Sequence, residues 1–403
     1  MKAQIIDGKR NGVRVLARPR GPTGADGSAA AMCFAEAEAR TAFDRISKWP
    51  IYARTPLVSL PAAAREAGVS TLHCKDEGAR LGLKSFKALG ALYASVNLMA
   101  QLVVRRTGSA VHDTDLLAGR HADALRDVVM VSATDGNHGF SLASAARRMG
   151  CKARIYVPAG VSAGRAQALR DEGADVIRID GIYEEAMDAA VAAAAAEADT
   201  WLVSDYATAE YHEIPRLCML GYSVIIQEIA EQLLAPPTHM FLPAGCGGLA
   251  ASAIAASIYA WGADAPKAIV VEPATAACVF ASVGSGKPVR VDGDLDTIMG
   301  GLACAGVSAV AWPVLNERAH ACMTMDDAAA RAAVRRFARP LAGDAPIVSG
   351  ETGAAGLAAV LSVHDDQAVR AALGLGDDSR VLVVSCESAT DPELYDEILR
   401  SAA

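Results

Sequence analysis

The sequence predicts an α/β protein of two domains, with parallel-rich twisted sheets flanked by helices. Short apolar strands alternate regularly with longer helical segments over residues 128–203. The same alternation restarts after residue 212. The chain has 403 residues and 52% of them are hydrophobic, which is more than one simple core requires. Strands that alternate with helices of this length form βαβ units and therefore parallel sheets.

The first third of the chain is less regular than the rest. Residues 1–35 are rich in loop-forming glycine and proline, and we expect them to be irregular. The polar, weakly patterned segment 112–127 predicts a loop or a poor helix. The other predicted segments in this part are a helix at 36–46, an extended stretch at 52–60, a strand at 71–76 and a helix at 88–104.

From residue 128 onwards the pattern is regular enough to assign most segments. A mixed region interrupts it at 274–324. The predicted strands are 128–132, 153–157, 175–179, 201–203, 239–243, 267–272 and 380–385. The predicted helices are 139–149, 163–172, 183–198, 215–234, 249–261, 325–339, a segment from Ser349 to about Val363, and 392–400.

We expect a larger domain formed by residues 1–91 and 207–403, and a smaller one formed by residues 92–206. A ligand site is expected in the cleft between the two domains, where α/β proteins commonly bind small molecules.

Composition excludes several classes of function. The net charge of −8 argues against non-specific nucleic-acid binding and against an anionic membrane surface. The nine cysteines are scattered without a Cys-x-x-Cys pair, as expected of reduced thiols in a cytoplasmic protein. The first residues contain no apolar segment of the signal-peptide type, and polar residues interrupt every apolar run, so no membrane span is expected. No metal site is predicted.

Lys87 lies at a strand-to-helix junction, in the segment Lys84-Ser85-Phe86-Lys87. α/β folds place ligand chemistry at the carboxyl ends of strands. A partly desolvated lysine there has a lowered pKa and can form a Schiff base with an aldehyde. The alternative is an ordinary solvated lysine near a helix start.

A glycine-rich turn follows the strand at 239–243. It comprises Gly245, Cys246, Gly247, Gly248 and Leu249. Glycines let backbone N–H groups approach a ligand, and the start of a helix favours an anion, so the turn could bind a phosphate. The alternative is a tight turn without a ligand. Neither a Walker loop nor the Rossmann spacing is present.

Two further strand ends carry polar residues. Asp135 could act as a general base, Asn137 could donate to a ring oxygen, and His138 could add a polar contact. The alternatives are a helix cap at Asp135 or Asn137 and a structural role for His138. Ser385 could hydrogen-bond a pyridine nitrogen, or could simply end a strand.

The chain resembles the pyridoxal-phosphate enzymes of fold type II, the group of tryptophan synthase β and threonine dehydratase. Within that group it is most similar to the diaminopropionate ammonia-lyases. The likeness extends from about Tyr52 to Tyr395. It is carried by the segments Lys75–Gly90, Ala133–Gly139, Asp296–Cys304, Ser349–Ala354 and Thr390–Tyr395.

The resemblance implies pyridoxal 5'-phosphate as the cofactor and a role for each candidate residue. Lys87 would carry the cofactor, with Phe86 beside it, and Asn137 would lie next to the ring hydroxyl. The residues of the glycine-rich turn would hold the phosphate. Ser385, or Cys386 if the register differs by one, would face the ring nitrogen. Asp135 and Asp205 correspond to two acidic residues that act on D- and L-substrates. Asp205 is matched by its position before the helical segment that contains Tyr211 and Tyr222.

The resemblance also implies an activity. The chain would be a carbon–nitrogen lyase that removes the β-amino group of 2,3-diaminopropionate and yields pyruvate and two ammonia. Its substrate is a small amino acid, and a cytoplasmic homodimer is expected.

Three alternatives stay open. The first is a dehydratase of serine, threonine or 3-hydroxyaspartate, and the second is a β-replacement synthase on the same fold. The third is a non-catalytic binding protein, against which the presence of Lys87 argues. Ser388 and Ala389 replace a Gly and an Asp of the family pattern, which leaves room for a different substrate.

Overall fold

The computed structural model describes residues 4–18, 28–134 and 136–401, and the chain forms two compact units. The larger unit contains residues 1–37, 54–79 and 223–403, and the smaller contains 38–53 and 80–222. This division differs from the predicted domains, because it groups residues 38–53, 80–91 and 207–222 with the smaller unit. Close packing between helices α4 and α10, defined below, explains part of this difference.

The larger unit is built on an eight-stranded sheet. In spatial order its strands are β1, β2, β11, β10, β9, β12, β4 and β3. The five central strands from β11 to β4 are parallel, and β1, β2 and β3 add antiparallel edges. The strands are β1 (Gln4–Asp7), β2 (Arg14–Ala17), β3 (Leu57–Ser59), β4 (Thr71–Asp76), β9 (His239–Pro243), β10 (Lys267–Pro273), β11 (Ala321–Met325) and β12 (Arg380–Ser385).

Helices cover this sheet because its central strands are apolar on both faces. All five residues of β9 and all five of β11 are buried. One apolar cluster joins the sheet to α3, α15, α16 and α17. The helices are α1 (Ser28–Ala31), α3 (Pro61–Ala67), α11 (Val224–Gln232), α12 (Gly248–Trp261), α13 (Cys278–Ser285), α14 (Trp312–Arg318), α15 (Asp327–Ala338), α16 (Ala355–Ser362), α17 (Gln367–Leu373) and α18 (Pro392–Arg400).

The smaller unit is built on a four-stranded parallel sheet in the order β7, β6, β5, β8. Its strands are β5 (Val129–Ala133), β6 (Lys152–Val157), β7 (Asp175–Arg178) and β8 (Thr200–Leu202). Its helices are most of α2 (Glu36–Ile46), and α4 (Lys87–Thr107), α5 (Asp113–Leu117), α6 (Ala122–Leu125), α7 (Asn137–Met149), α8 (Ala163–Asp171), α9 (Tyr183–Ala196) and α10 (Glu213–Tyr222). Three short 3₁₀ helices complete the chain: Glu77–Gly82, Gly262–Asp264 and Gly300–Leu302.

Three predictions of secondary structure were wrong. Strands β1 and β2 lie in the segment predicted to be irregular, and each is only four residues long, too short for a clear pattern. Strand β11 lies in the mixed region and is buried throughout, so its side chains do not alternate in polarity. The helix predicted at 215–234 is two helices, α10 and α11, which meet at Ser223, where the weak helix formers Gly221 and Ser223 lie close together.

Among the described residues, one helix passes a test for membrane spans based on length and composition. It is α4, and 72% of its most apolar window is buried inside the protein. Because a core helix passes the same test, this is weak evidence for a membrane span.

Candidate active site

An ion pair between Lys87 and Asp205 lies at the centre of a group of polar side chains in the smaller unit. Lys87 is the first residue of α4, and Asp205 lies three residues beyond the end of β8. Nζ of Lys87 pairs with Oδ2 of Asp205. The two side chains are 21% and 13% exposed. The lysine is therefore largely desolvated but still accessible, as a lysine that condenses with an aldehyde must be.

Tyr222 supplies a second hydrogen bond to Asp205. Its hydroxyl donates to Oδ2 at 3.0 Å. The ring of Tyr222 packs against Phe86, with centroids 4.7 Å apart, and Phe86 lies 5.4 Å from Nζ of Lys87. The side chains of Phe86, Lys87, Asp205 and Tyr222 therefore form one cluster.

The cluster keeps Asp205 ionised. Burial alone would raise the pKa of this carboxyl, but the Lys87 ammonium, His138 and the hydrogen bonds from Lys87 and Tyr222 outweigh it and hold the pKa well below its usual range. Asp205 is therefore an anion at neutral pH. It can balance a cation or accept a proton, but it has no proton to donate.

The turn between β5 and α7 lies at the same edge of the sheet as Asp205, because β5 and β8 are parallel neighbours. Thr134 Oγ1 accepts from the N–H groups of Gly136 and Gly139, at 3.0 and 3.3 Å, and so shapes the turn. Asn137 begins α7 and is half-buried. Asp135 lies outside the described residues.

His138 is only 4% exposed and is fixed by one hydrogen bond. Its Nε2 lies 2.8 Å from the carbonyl oxygen of Val203, so Nε2 carries the hydrogen. Its Nδ1 is buried, with no hydrogen-bond partner among the described residues. His138 thus has a structural bond at one nitrogen, whereas its other nitrogen is buried without a partner among the described residues.

The larger unit contributes the glycine-rich turn between β9 and α12. Gly247 has φ +91°, which favours glycine. A Cβ on Gly245 would lie 2.8 Å from Cys304 Sγ and 3.0 Å from the carbonyl oxygen of Gly301. Packing alone therefore requires glycine at both positions.

The anion-binding capacity of this turn comes from the start of α12. Gly248 and Leu249 are its first two residues. No side chain caps this end, and its first turn contains no acidic residue. The first N–H groups of a helix have no partner within the helix, so they can receive an anion such as a phosphate. Cys246 is half-buried, and its carbonyl oxygen accepts from the N–H of Ser308 at 2.9 Å.

Ser385 ends β12, at the same sheet edge as the glycine-rich turn. It is fully buried, and its hydroxyl donates to Ser349 Oγ at 2.9 Å. This pair of hydroxyls can form a hydrogen bond with a ligand at this sheet edge. Ser388, which differs from the family pattern, is closely packed. A Cβ added to Gly78 would lie 3.2 Å from the Cβ of Ser388.

These groups fit the cofactor that the resemblance implies. Pyridoxal phosphate forms a Schiff base with an accessible lysine, its phosphate suits a helix start, and its ring accepts and donates hydrogen bonds. The smaller unit provides Lys87 and Asn137, and the larger unit provides the start of α12 and the Ser385–Ser349 pair. No group of three or more potential metal ligands occurs in the part of the chain that the structure describes.

Sequence reasoning missed Tyr222 and Ser349 as site residues. Tyr222 lies in a segment that helped to match Asp205 to the family pattern, and Ser349 opens another of the matching segments. Their hydrogen bonds to Asp205 and Ser385 depend on tertiary packing, which the sequence does not display.

The chain is similar to known proteins over most of its length. The family model described as "Pyridoxal-phosphate dependent enzyme" matches residues 48–387. A diaminopropionate ammonia-lyase from Salmonella typhimurium is 35% identical over 366 residues, which is 87% of this chain and 89% of that protein.

Solved structures of diaminopropionate ammonia-lyase from Escherichia coli are similar over nearly the whole chain. One, in complex with an aminoacrylate-PLP azomethine reaction intermediate, has a TM-score of 0.85 and 29% identity over 98% of both chains. Another, in complex with D-serine, has a TM-score of 0.85 and 30% identity over 99% of this chain and 98% of that one.

Proposed function

The chain belongs to the pyridoxal-phosphate dependent enzymes, and within them to the diaminopropionate ammonia-lyase family, and we propose that it converts 2,3-diaminopropionate to pyruvate and two ammonia. Its fold is that of the fold type II enzymes, as the sequence predicted, and its cofactor is pyridoxal 5'-phosphate. It is therefore a cofactor-dependent lyase that acts on a small amino acid.

The observation that carries the choice of substrate is the ionised carboxylate of Asp205 beside Lys87. Diaminopropionate differs from serine in its β-substituent, which is an amino group instead of a hydroxyl. A mostly buried anion attracts an ammonium far more strongly than a neutral hydroxyl. Asp205 therefore favours the diamino acid.

We assign the residues that hold the cofactor as follows. Lys87 would hold its aldehyde group, with Phe86 beside Lys87. The N–H groups of the turn formed by Gly245, Cys246, Gly247, Gly248 and Leu249 would bind its phosphate. Asn137 would hydrogen-bond the ring hydroxyl, and Ser385 would face the ring nitrogen. When bound, the cofactor supplies an electron sink for the negative charge that develops at the substrate's Cα.

The chain's own residues move the protons. Nζ of Lys87 takes the α-proton of an L-substrate, and Asp135 takes it from a D-substrate on the opposite face. The bond between Cβ and nitrogen then breaks. This nitrogen enters as an ammonium beside the Asp205 anion, so the electron pair leaves with it as neutral ammonia and no further proton is needed. The electron pair at Cα forms a double bond to Cβ, and water hydrolyses the resulting enamine to pyruvate and the second ammonia.

A second candidate function is dehydration of serine. It is favoured by one observation, namely that the similar E. coli enzyme was crystallised with D-serine. The two functions share every residue assigned above and differ in the group that leaves.

The test is product release from the pure holoenzyme. Keto acid and ammonia are quantified after incubation with D- and L-diaminopropionate, D- and L-serine, L-threonine and 3-hydroxyaspartate. We expect two ammonia per pyruvate from diaminopropionate and little product from the hydroxy acids, with the Lys87→Ala variant as the inactive control. Turnover of the hydroxy acids alone would make the chain a dehydratase. Cofactor-loaded protein that turns over none of them would favour a β-replacement synthase.

We also propose that the enzyme works as a homodimer in the cytoplasm. The family resemblance supports the dimer, and the nine scattered cysteines, none of them in a disulfide, support a reducing compartment. Light scattering of the purified protein at micromolar concentration tests the dimer, for which twice the chain mass of 41.6 kDa is expected.

A further inference from the structure

Tyr222, the last residue of α10, carries an inference that goes beyond the assigned residues. It is only 2% exposed, and its hydroxyl donates to the oxygen of Asp205 that also pairs with Lys87. Hydrogen bonds to an ionised acceptor are short, strong and directional. We propose that Tyr222 is a positioning residue whose hydroxyl holds the Asp205 carboxylate in place beside Lys87. The catalytic part of this inference rests on the proposed function.

Close packing holds the ring of Tyr222 in a single position. A Cβ on Gly90 would lie 2.4 Å from Cε1 of Tyr222, and a Cβ on Gly221 would lie 2.5 Å from the carbonyl oxygen of Leu89. Helices α4 and α10 thus approach each other at two glycines, and Phe86 covers the ring from another side. The hydroxyl is aimed at Asp205 by the backbones of both helices.

Each element packed around Asp205 contributes one charged or titratable group. Lys87 comes from α4, His138 from α7, Tyr222 from α10, and Tyr211 from the segment before α10. While the nitrogen of Lys87 is bonded to an aldehyde, it is no longer a free ammonium group and cannot pair with Asp205 in the same way. Tyr222 is then the remaining hydrogen-bond donor, among those that the structure shows, to hold the carboxylate.

The first arm of the test is the activity of the Tyr222→Phe holoenzyme. We expect kcat to fall roughly tenfold or more, because a hydrogen bond to a charged group is lost. We expect KM and cofactor affinity to change less than about threefold, since Tyr222 touches neither in this proposal.

The second arm needs no activity. Tyr222→Phe, Asp205→Ala and the double variant form a cycle in which unfolding of the cofactor-free protein is measured in urea. We expect Tyr222→Phe to lower the folding equilibrium constant about tenfold when Asp205 is present and less than about threefold in the Asp205→Ala background. This arm still decides the role of Tyr222 if diaminopropionate proves not to be the substrate.

Tyr259→Phe is the matched control, because its hydroxyl also donates a partly buried hydrogen bond, to the carbonyl oxygen of Phe34 at 2.7 Å. It should lower stability equally in both Asp205 backgrounds and leave kcat unchanged. The proposal is overturned if Tyr222→Phe behaves in the same way as Tyr259→Phe in both arms.

Discussion

Nζ of Lys75 lies 2.6 Å from Oε2 of Glu228, and both side chains are fully buried in the larger unit. The two remaining donors of the lysine reach the carbonyl oxygen of Thr55 at 2.9 Å and Oε1 of Gln232 at 2.8 Å. All three N–H groups of the ammonium are thus satisfied. The pair joins the end of β4, two residues before the 3₁₀ helix that precedes the Lys87 segment, to helix α11.

We predict that Lys75→Met lowers the free energy of unfolding by about 3–5 kcal/mol, because it removes the buried ammonium that pairs with Glu228. Urea unfolding of the cofactor-free protein measures the loss. The double variant Lys75→Met, Glu228→Leu is the control and should recover most of it, because both charges of the pair are then removed. Equal losses in the single and double variants would contradict this explanation.

Gly247→Ala should weaken cofactor binding roughly tenfold. Alanine at φ +91° costs about 1–2 kcal/mol, and its Cβ would lie 2.4 Å from Cδ1 of Leu315, so the turn before α12 must shift. Fluorescence titration of the cofactor-free protein with pyridoxal 5'-phosphate measures the affinity. Gly164→Ala is the control, because its added Cβ meets nothing within 4 Å. Unchanged affinity in Gly247→Ala would show that this turn does not bind the phosphate.

Asp205→Asn should lower kcat for diaminopropionate at least a hundredfold, because the site loses the anion that balances its ammonium groups. KM should rise more for diaminopropionate than for serine. Steady-state kinetics with both substrates measures the difference. Asp199→Asn, which removes a surface carboxylate paired with Arg106, is the control and should leave both constants unchanged. Equal effects on the two substrates would show that Asp205 does not distinguish diaminopropionate from serine.

Stability should fall in mild acid because of His239 and His320, which are 2% and 8% exposed. Burial, reinforced by the charge of Lys267, lowers the pKa of each to about 4. The unfolded chain takes up protons at these residues near pH 6.5, whereas the folded chain does so only near pH 4. Their contribution is therefore complete above pH 6.5, and is lost as the pH falls from 6.5 to 4, by about 3 kcal/mol each.

Urea unfolding at a series of pH values measures this loss. The His320→Gln variant should show a shallower decline between pH 6.5 and 4 than the native chain, because one of the two titrations is absent. A decline of the same steepness would assign the acid sensitivity to other groups.

The parts of the site that lie in one short segment were predictable from the sequence. Lys87 begins the helix α4, and the glycine-rich turn lies directly between a strand and a helix. The pattern of apolar residues displays such helix starts. The pairing of Lys87 with Asp205 joins residues 118 positions apart, and only the resemblance singled out Asp205. The hydroxyl of Tyr222 reaches Asp205 because Gly90 and Gly221 let two helices approach closely. Nothing in the local sequence indicates that contact.

The secondary structure shows the same contrast between elements that the local sequence predicts and elements that depend on tertiary pairing. The alternating strands and helices of the smaller unit were predicted almost completely, because each of its four parallel strands is followed by a helix. Strand β2 was missed because it joins the central sheet by pairing with β11, which lies about 300 residues later in the chain. Pairing partners of that kind are set by the tertiary fold, and neither strand carries a local pattern that reveals the other.

The central claim is that Lys87 carries the cofactor, and borohydride reduction of the holoenzyme tests it most directly. Reduction fixes the cofactor covalently to the lysine that holds it, and mass spectrometry of the digested protein identifies the modified residue. We predict one modified site, at Lys87, and none in the Lys87→Ala variant. A cofactor adduct on Lys75, Lys84 or any other lysine of the native chain, with Lys87 unmodified, would contradict the account.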